Sequence, residues 1–220
     1  MREDCLYKPY CDGDCSKLCV QYSQMSYMLE HSNLPKSQQR IHKLVAPKCD
    51  LDAFERLHDI QMNIKQFVKQ GKNLYIWSRE TGNGKTTWSI KILMQYFDSV
   101  WEYCQYNVKG VFVNVPTFLY KLKQTISTPD AQFAELQRNI GDVDLVVFDD
   151  ITATQLSRYD YSSLLAPIDM RLFEGKSSIF TGNYSPDELE NILGKRLKSR
   201  ICDGIIIELK GNDMRESGDN

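Results

Sequence analysis

Apolar residues recur in two alternating rhythms along this chain. From Leu51 to Val68, residues Phe54, Leu57, Ile60, Ile64 and Phe67 return every three or four positions, the period of a helix with one buried stripe. Gly71 ends that run. Asn73 to Trp77 is a short apolar stretch and predicts a buried strand. The alternation then repeats. A helix is predicted from Lys85 to about Val100, a strand over Gly110–Val115, and a helix over Thr117–Ile126 with Pro116 at its first position. Asp144–Asp149 predicts a strand so continuously apolar that both its faces must be covered. A helix from about Tyr159 to Phe173 leads to strand Ser178–Thr181. Ser185-Pro186-Asp187-Glu188 opens a helix reaching Ile201, and Ile205–Leu209 is the last strand. Such alternation predicts an α/β fold, a parallel five-stranded sheet flanked by helices.

Composition narrows this reading. A length of 220 residues suits one large domain with a small appendage. Opposite charges nearly cancel, 27 Lys+Arg against 29 Asp+Glu, which excludes a surface coated with nucleic-acid-binding charge but leaves room for a local basic groove. No run approaches the ~18 apolar residues of a membrane span. Met1 to Cys5 lacks the apolar core of a secretory signal. A cytoplasmic location follows as the expectation, where disulfides do not persist. Cysteine placement divides the chain: four of seven, Cys5, Cys11, Cys15 and Cys19, precede residue 20. The expected division is a Cys-rich domain over 1–48, the α/β domain over 49–210, and a polar tail over 211–220.

Between the first strand and its helix lies Arg79-Glu80-Thr81-Gly82-Asn83-Gly84-Lys85-Thr86-Thr87. Gly84-Lys85-Thr86 completes the second half of a Walker A loop, while Arg79 stands where its first glycine belongs. Gly82 and Gly84 let the backbone curl so that N–H groups and the helix N-terminus face phosphates. Lys85 would reach the β- and γ-phosphates of ATP, and Thr86 would ligate Mg²⁺. The third strand ends in Asp149 and Asp150. Asp149 would hold the Mg²⁺ shell and Asp150 would act as base on the attacking water. Asn183, in Thr181-Gly182-Asn183, offers a polar amide toward that water. Arg196 and Arg200, four apart on the last helix, share a face from which one could reach a neighbouring subunit's γ-phosphate. Arg171 is a weaker candidate for a charge near the nucleotide or a subunit interface.

In this order and spacing the motifs resemble AAA+ ATPases, and within them the DnaC/DnaI-type helicase loaders of bacteria and phages. The resemblance spans about Leu51 to Leu209. IstB-type transposition ATPases are also similar, and Arg196-Leu197-Lys198-Ser199-Arg200 resembles the corresponding box of the DnaA initiators. It implies an ATPase that self-associates into an AAA+ oligomer, with Arg200 the finger and Arg196 its neighbour. It also implies a DnaB-type replicative helicase as partner, placed on single-stranded DNA. Asp150 stands where such ATPases often carry Glu. Only 20 residues follow Arg200, so a C-terminal lid domain is not expected. The alternatives are an IstB-like transposition helper and a non-hydrolysing ATP-binding adaptor.

The four N-terminal cysteines suffice for a tetrahedral zinc site, with His31 or Cys49 as possible substitutes for one thiolate. An iron–sulfur cluster, or four ordinary reduced cysteines, are the other readings. DnaI-type loaders carry a zinc-bearing helicase-docking domain here. Tyr22, Met25, Tyr27, Met28 and Leu29 would form either that partner surface or the zone's own small core. For DNA, residues 36–72 hold eight Lys/Arg against four Asp/Glu, and Tyr120, Lys121 and Lys123 form a second basic stretch.

Overall fold

The computed structural model describes residues 5–6, 19–40, 43–153 and 155–212. Five parallel strands form one sheet: β1 Asn73–Trp77, β2 Gly110–Asn114, β3 Leu145–Asp149, β4 Ser177–Gly182 and β5 Gly204–Glu208. Their order across the sheet is β2-β3-β4-β1-β5. Each strand sends alternate residues to opposite faces. Leu74 and Ile76 of β1 enter one apolar cluster with Phe112, Val147 and Ile179. Tyr75 and Trp77 enter a second with Val113, Phe148 and Phe180.

Helices cover both faces. Against the first cluster pack α1 (Val20–His31), α2 (Leu51–Met62), α3 (Ile64–Lys69) and α4 (Lys85–Val100). Against the second pack α5 (Val115–Gln124), α6 (Ala131–Asp142), α7 (Arg158–Phe173) and α8 (Pro186–Ile201). The two-sided α/β architecture expected from the alternation is therefore present. No helix among the described residues is long and apolar enough to cross a membrane.

Three local departures have physical causes. The helix expected over 51–68 breaks at Asn63, whose φ of −104° and ψ of 21° leave the helical region. Asn114 caps α5 by accepting from the Thr117 N–H, which puts Pro116 at the second helical position instead of the first. Helix α6 was not expected from periodicity. Asp130 caps it by accepting from the Gln132 and Phe133 N–H groups, and Phe133, Leu136 and Ile140 form its buried stripe.

Helix α1 and the turn after it belong to the α/β body. Met25, Met28, Leu29 and Leu34 sit in the same apolar cluster as Phe54, Leu57 and Phe97. Residue 48 thus marks no break in packing. Of the two roles weighed for Met25, Met28 and Leu29, partner surface or separate small core, the structure shows neither: their side chains are buried against the main domain. Just beyond, the Phe112 N–H donates to the Ser32 carbonyl, and the Asn33 amide donates to the Phe112 carbonyl. The outer edge of β2 is covered by these contacts, which blunts it against pairing with another chain.

Candidate nucleotide site

The strand order places β4 between β3 and β1. Consequently the loop after β1, the acids after β3 and the polar residues after β4 meet at one end of the sheet, where open parallel sheets bind ligands. A cleft of about 800 Å³ lies there, lined by Thr81 to Thr87, Asp150, Thr181 and Asn183, with Lys43 to Pro47 along one side.

The loop is built on two left-handed glycines, Gly82 at φ 69° and Gly84 at φ 99°. That conformation costs a side-chain-bearing residue strain and a glycine nothing. Asn83 between them is buried and donates to the Ser78 hydroxyl and to the Leu209 carbonyl at 3.3 Å. Lys85 folds its ammonium onto the Glu80 carbonyl at 2.7 Å. Arg79, where the first glycine was expected, points outward and pairs with Glu188 at 2.9 Å. The substitution therefore leaves the curl of the loop intact.

Asp149 forms the floor. Its Oδ1 accepts from the hydroxyls of Thr86 and Thr181, each at 2.8 Å, and its Oδ2 from the Asn114 amide at 3.4 Å. Thr181 accepts in turn from the Asp150 N–H at 2.8 Å. Asp150 holds φ 59°, a left-handed value uncommon outside glycine. Burial, then the adjacent Asp149 charge, pushes its carboxyl above the usual range, with Lys85 pulling the other way. Asn183 lies on the cleft wall and is fixed through its N–H, which donates to the Thr152 hydroxyl at 2.9 Å. The Thr86 hydroxyl and the Asp149 carboxylate present a hard-oxygen donor pair, the set Mg²⁺ takes.

The expected residues Thr81, Gly82, Asn83, Gly84, Lys85, Thr86, Thr87, Asp149, Asp150 and Asn183 thus come together. Arg196 and Arg200 do not line this cleft; both pair with Asp169 of α7. Arg171 is removed from the candidates. It is fully buried and bonded to four backbone carbonyls and Ser178, so it faces no nucleotide and no open surface.

Sequence reasoning passed over several contributors. Thr181 and Asn114 hold Asp149, and both sit at strand ends, which was the available signal. The 43–47 side of the cleft is anchored by Asp50, whose carboxylate accepts from the Lys210 and Gly211 N–H groups at 2.7 and 2.8 Å. Nothing in the local pattern marks that pairing.

The metal and DNA candidates fare differently. Cys11 and Cys15 lie outside the described residues, and no group of three or more His, Cys, Asp or Glu suited to a metal occurs among the described ones. Cys19 caps α1, its Sγ accepting from the Tyr22 N–H at 3.5 Å. His31 places Nδ1 against the Tyr27 carbonyl at 2.9 Å and stacks on the Tyr27 ring, while Cys49 is exposed. Lys123 is committed to Asp160 at 2.9 Å. Tyr120 stays exposed.

Fold and cleft together define a P-loop nucleotide-binding domain of the AAA+ class. Residues 54–208 match the model of the family described as the bacterial DnaA ATPase domain, and the chain belongs to that family. Among solved structures it is similar to a putative primosome component from Streptococcus pyogenes serotype M3, at 22% identity and TM-score 0.64, covering 85% of this chain and 97% of that one. The DnaC helicase loader is similar at 19% identity and TM-score 0.63, covering 76% and 94%. DnaI is similar at 21% identity and TM-score 0.61, covering 80% and 94%. Identities this low speak for a shared fold. Comparison with curated proteins finds no match.

Proposed function

We propose that this chain is an AAA+ ATPase that assists the placement of a DnaB-type replicative helicase on single-stranded DNA. In this reading it binds ATP with Mg²⁺ and associates so that the arginine face of one copy meets the cleft of the next. One observation carries the nucleotide part: Thr86, Asp149 and Thr181 are tied together beneath a left-handed glycine loop, beside a half-buried Asp150 with a raised pKa. Membership of an ATPase-domain family and likeness to a helicase loader's fold support the rest.

Loop N–H groups and Lys85 bind the phosphates. Thr86 and Asp149 would hold Mg²⁺, which when bound neutralises charge developing on the phosphoryl oxygens. Asp150 accepts the proton of the attacking water, and Asn183 orients that water. Helicase docking, expected of residues 1–48, is assigned to the part that precedes α1, since Met25, Met28 and Leu29 are buried, and DNA contact to the surface of Tyr120 and Lys121.

The test combines ATP turnover, nucleotide affinity and capture of a DnaB-type helicase, for wild type and Lys85→Ala. Wild type should hydrolyse ATP and retain the helicase. Lys85→Ala should bind nucleotide at least about tenfold more weakly, having lost its phosphate cation. Equal nucleotide affinity would sink the site assignment, and turnover without helicase capture would sink the loader reading. A second reading, a non-hydrolysing adaptor, draws on Asp150 being one methylene shorter than Glu. It predicts that Asp150→Ala matches wild type in turnover.

A further inference from the structure

Asp169 on α7 accepts from two arginines of α8: Arg196 Nη2 at 2.5 Å and Arg200 Nε at 2.7 Å. These two contacts are chemically unequal. Arginine recognises phosphate best through two parallel N–H donors. Arg196 grips the carboxylate with a terminal nitrogen that both of its paired-donor edges require. Arg200 grips it with the inner Nε, and its two terminal nitrogens make no hydrogen bond among the described residues. Arg200 is also the better held, its side chain 30% exposed against 60% for Arg196. Gly194, at φ 77° and ψ 158°, kinks α8 just before this segment and sets its direction.

Burial alone would raise the Asp169 carboxyl's pKa. The Arg200 hydrogen bond and the two guanidinium charges outweigh that and hold it below the usual range. The carboxylate is therefore ionised at neutral pH, where the arginines are charged, and the three groups act as one unit.

We propose that Asp169 is a positioning residue: it orients Arg200 through Nε so that the terminal nitrogens point at the nucleotide of a second copy of this chain. Arg196 is the second clamp on Asp169 and not the finger. The inference rests on the reading above, in which one copy's arginine face meets the next copy's cleft. It adds a residue, Asp169, and gives a geometric ground for the division between Arg200 and Arg196 that the resemblance implied.

The experiment mixes two defective proteins. Arg200→Ala supplies intact clefts without a finger, and Lys85→Ala supplies a finger without a working cleft. Their mixture should recover turnover that neither shows alone; no recovery would overturn both the association reading and this inference. The Lys85→Ala donor is then given a second change. Asp169→Asn in the donor should lower recovered kcat about ten- to a hundredfold, the effect of misplacing a reacting group by about 1 Å. The KM for ATP should stay put, because the clefts are unaltered. Arg196→Ala in the donor should cost less than about fivefold, as for an exposed ion pair. Full recovery with the Asp169→Asn donor overturns the positioning role. A loss with Arg196→Ala equal to that with Arg200→Ala in the donor overturns the division of labour, and this arm stands even where Asp169→Asn folds poorly.

Discussion

Helix α7 meets arginine on two opposite sides, and the two meetings differ in kind. Arg171 on its inner side is fully buried. Its Nε donates to the Ser178 hydroxyl at 3.1 Å, Nη1 to the Ile140 and Val143 carbonyls at 2.9 and 2.8 Å, and Nη2 to the Asp144 and Ser177 carbonyls. Burial lowers this guanidinium to about 10, with Asp144 and Glu174 pulling it back up. On the outer side Asp169, two residues earlier, holds Arg196 and Arg200 with one carboxylate. An arginine kept from water must have its donors satisfied, so Arg171 has none to spare. Those at the surface can leave donors unspent. Full satisfaction marks structure, whereas donors left to water remain able to take a further partner. The inner arrangement also serves the outer one, since Arg171 pins α7 to the end of α6 and the starts of β3 and β4.

The strongest test of this contrast is Arg171→Met. It fills similar volume but strands four carbonyls and a hydroxyl, and a buried polar group left unsatisfied costs about 1–3 kcal/mol. Urea unfolding should show the midpoint falling accordingly, while the folded fraction keeps its nucleotide affinity. A variant as stable as wild type but unable to bind nucleotide would place Arg171 in the site and dissolve the contrast.

How much of this was legible beforehand follows from how local each feature is. Strand β1 was read with the bounds observed because five successive buried residues need no partner information. The glycine loop was legible because its chemistry lies within nine residues, 79–87. The carboxylates of β3 followed from the strand that carries them. Helix α1 was not read, because Gln24 interrupts the short stripe of Met25, Met28 and Leu29, Val20 is apolar yet exposed, and the stripe's burial depends on the domain beneath. Asp50 was missed since its partners lie 160 residues away. Arg171 was misjudged because charged residues are almost never fully buried, and only the folded carbonyl cage reverses that expectation. Asp169 carried no mark at all until α8 lay beside it.

Asp150 extends the comparison to a cleft group whose unspent capacity costs stability. Its folded pKa is raised above 3.8, so the folded state binds the proton more tightly than the unfolded chain does. Stability from this group is fully present below the unfolded pKa and is lost as pH rises through the folded one. Asp150→Asn removes the charge, and Asn tolerates φ 59° at least as well. The variant should therefore melt higher than wild type at neutral pH, with the gain shrinking as pH falls toward about 4, while ATP hydrolysis is lost. A lower melting temperature at neutral pH would show the Asp150 carboxylate to be a stabilising partner in the fold.

The smallest effect belongs to Arg79 and Glu188, a pair spent entirely at the surface, with side chains 70% and 37% exposed. Water screens such a contact, and holding two long side chains together costs entropy, so it adds little to stability. Arg79→Ala should leave the melting temperature nearly unchanged at physiological salt. Glu188 keeps its bonds from the Ser185 N–H and hydroxyl, at 2.9 and 2.8 Å, so the start of α8 stays capped. Nucleotide affinity should move by less than about fivefold, because the loop's curl resides in Gly82 and Gly84 and the side chain of Arg79 points away from it. A loss approaching that of Lys85→Ala would mean that Arg79 turns inward to meet the phosphates, and its pairing with Glu188 would then not be its working state.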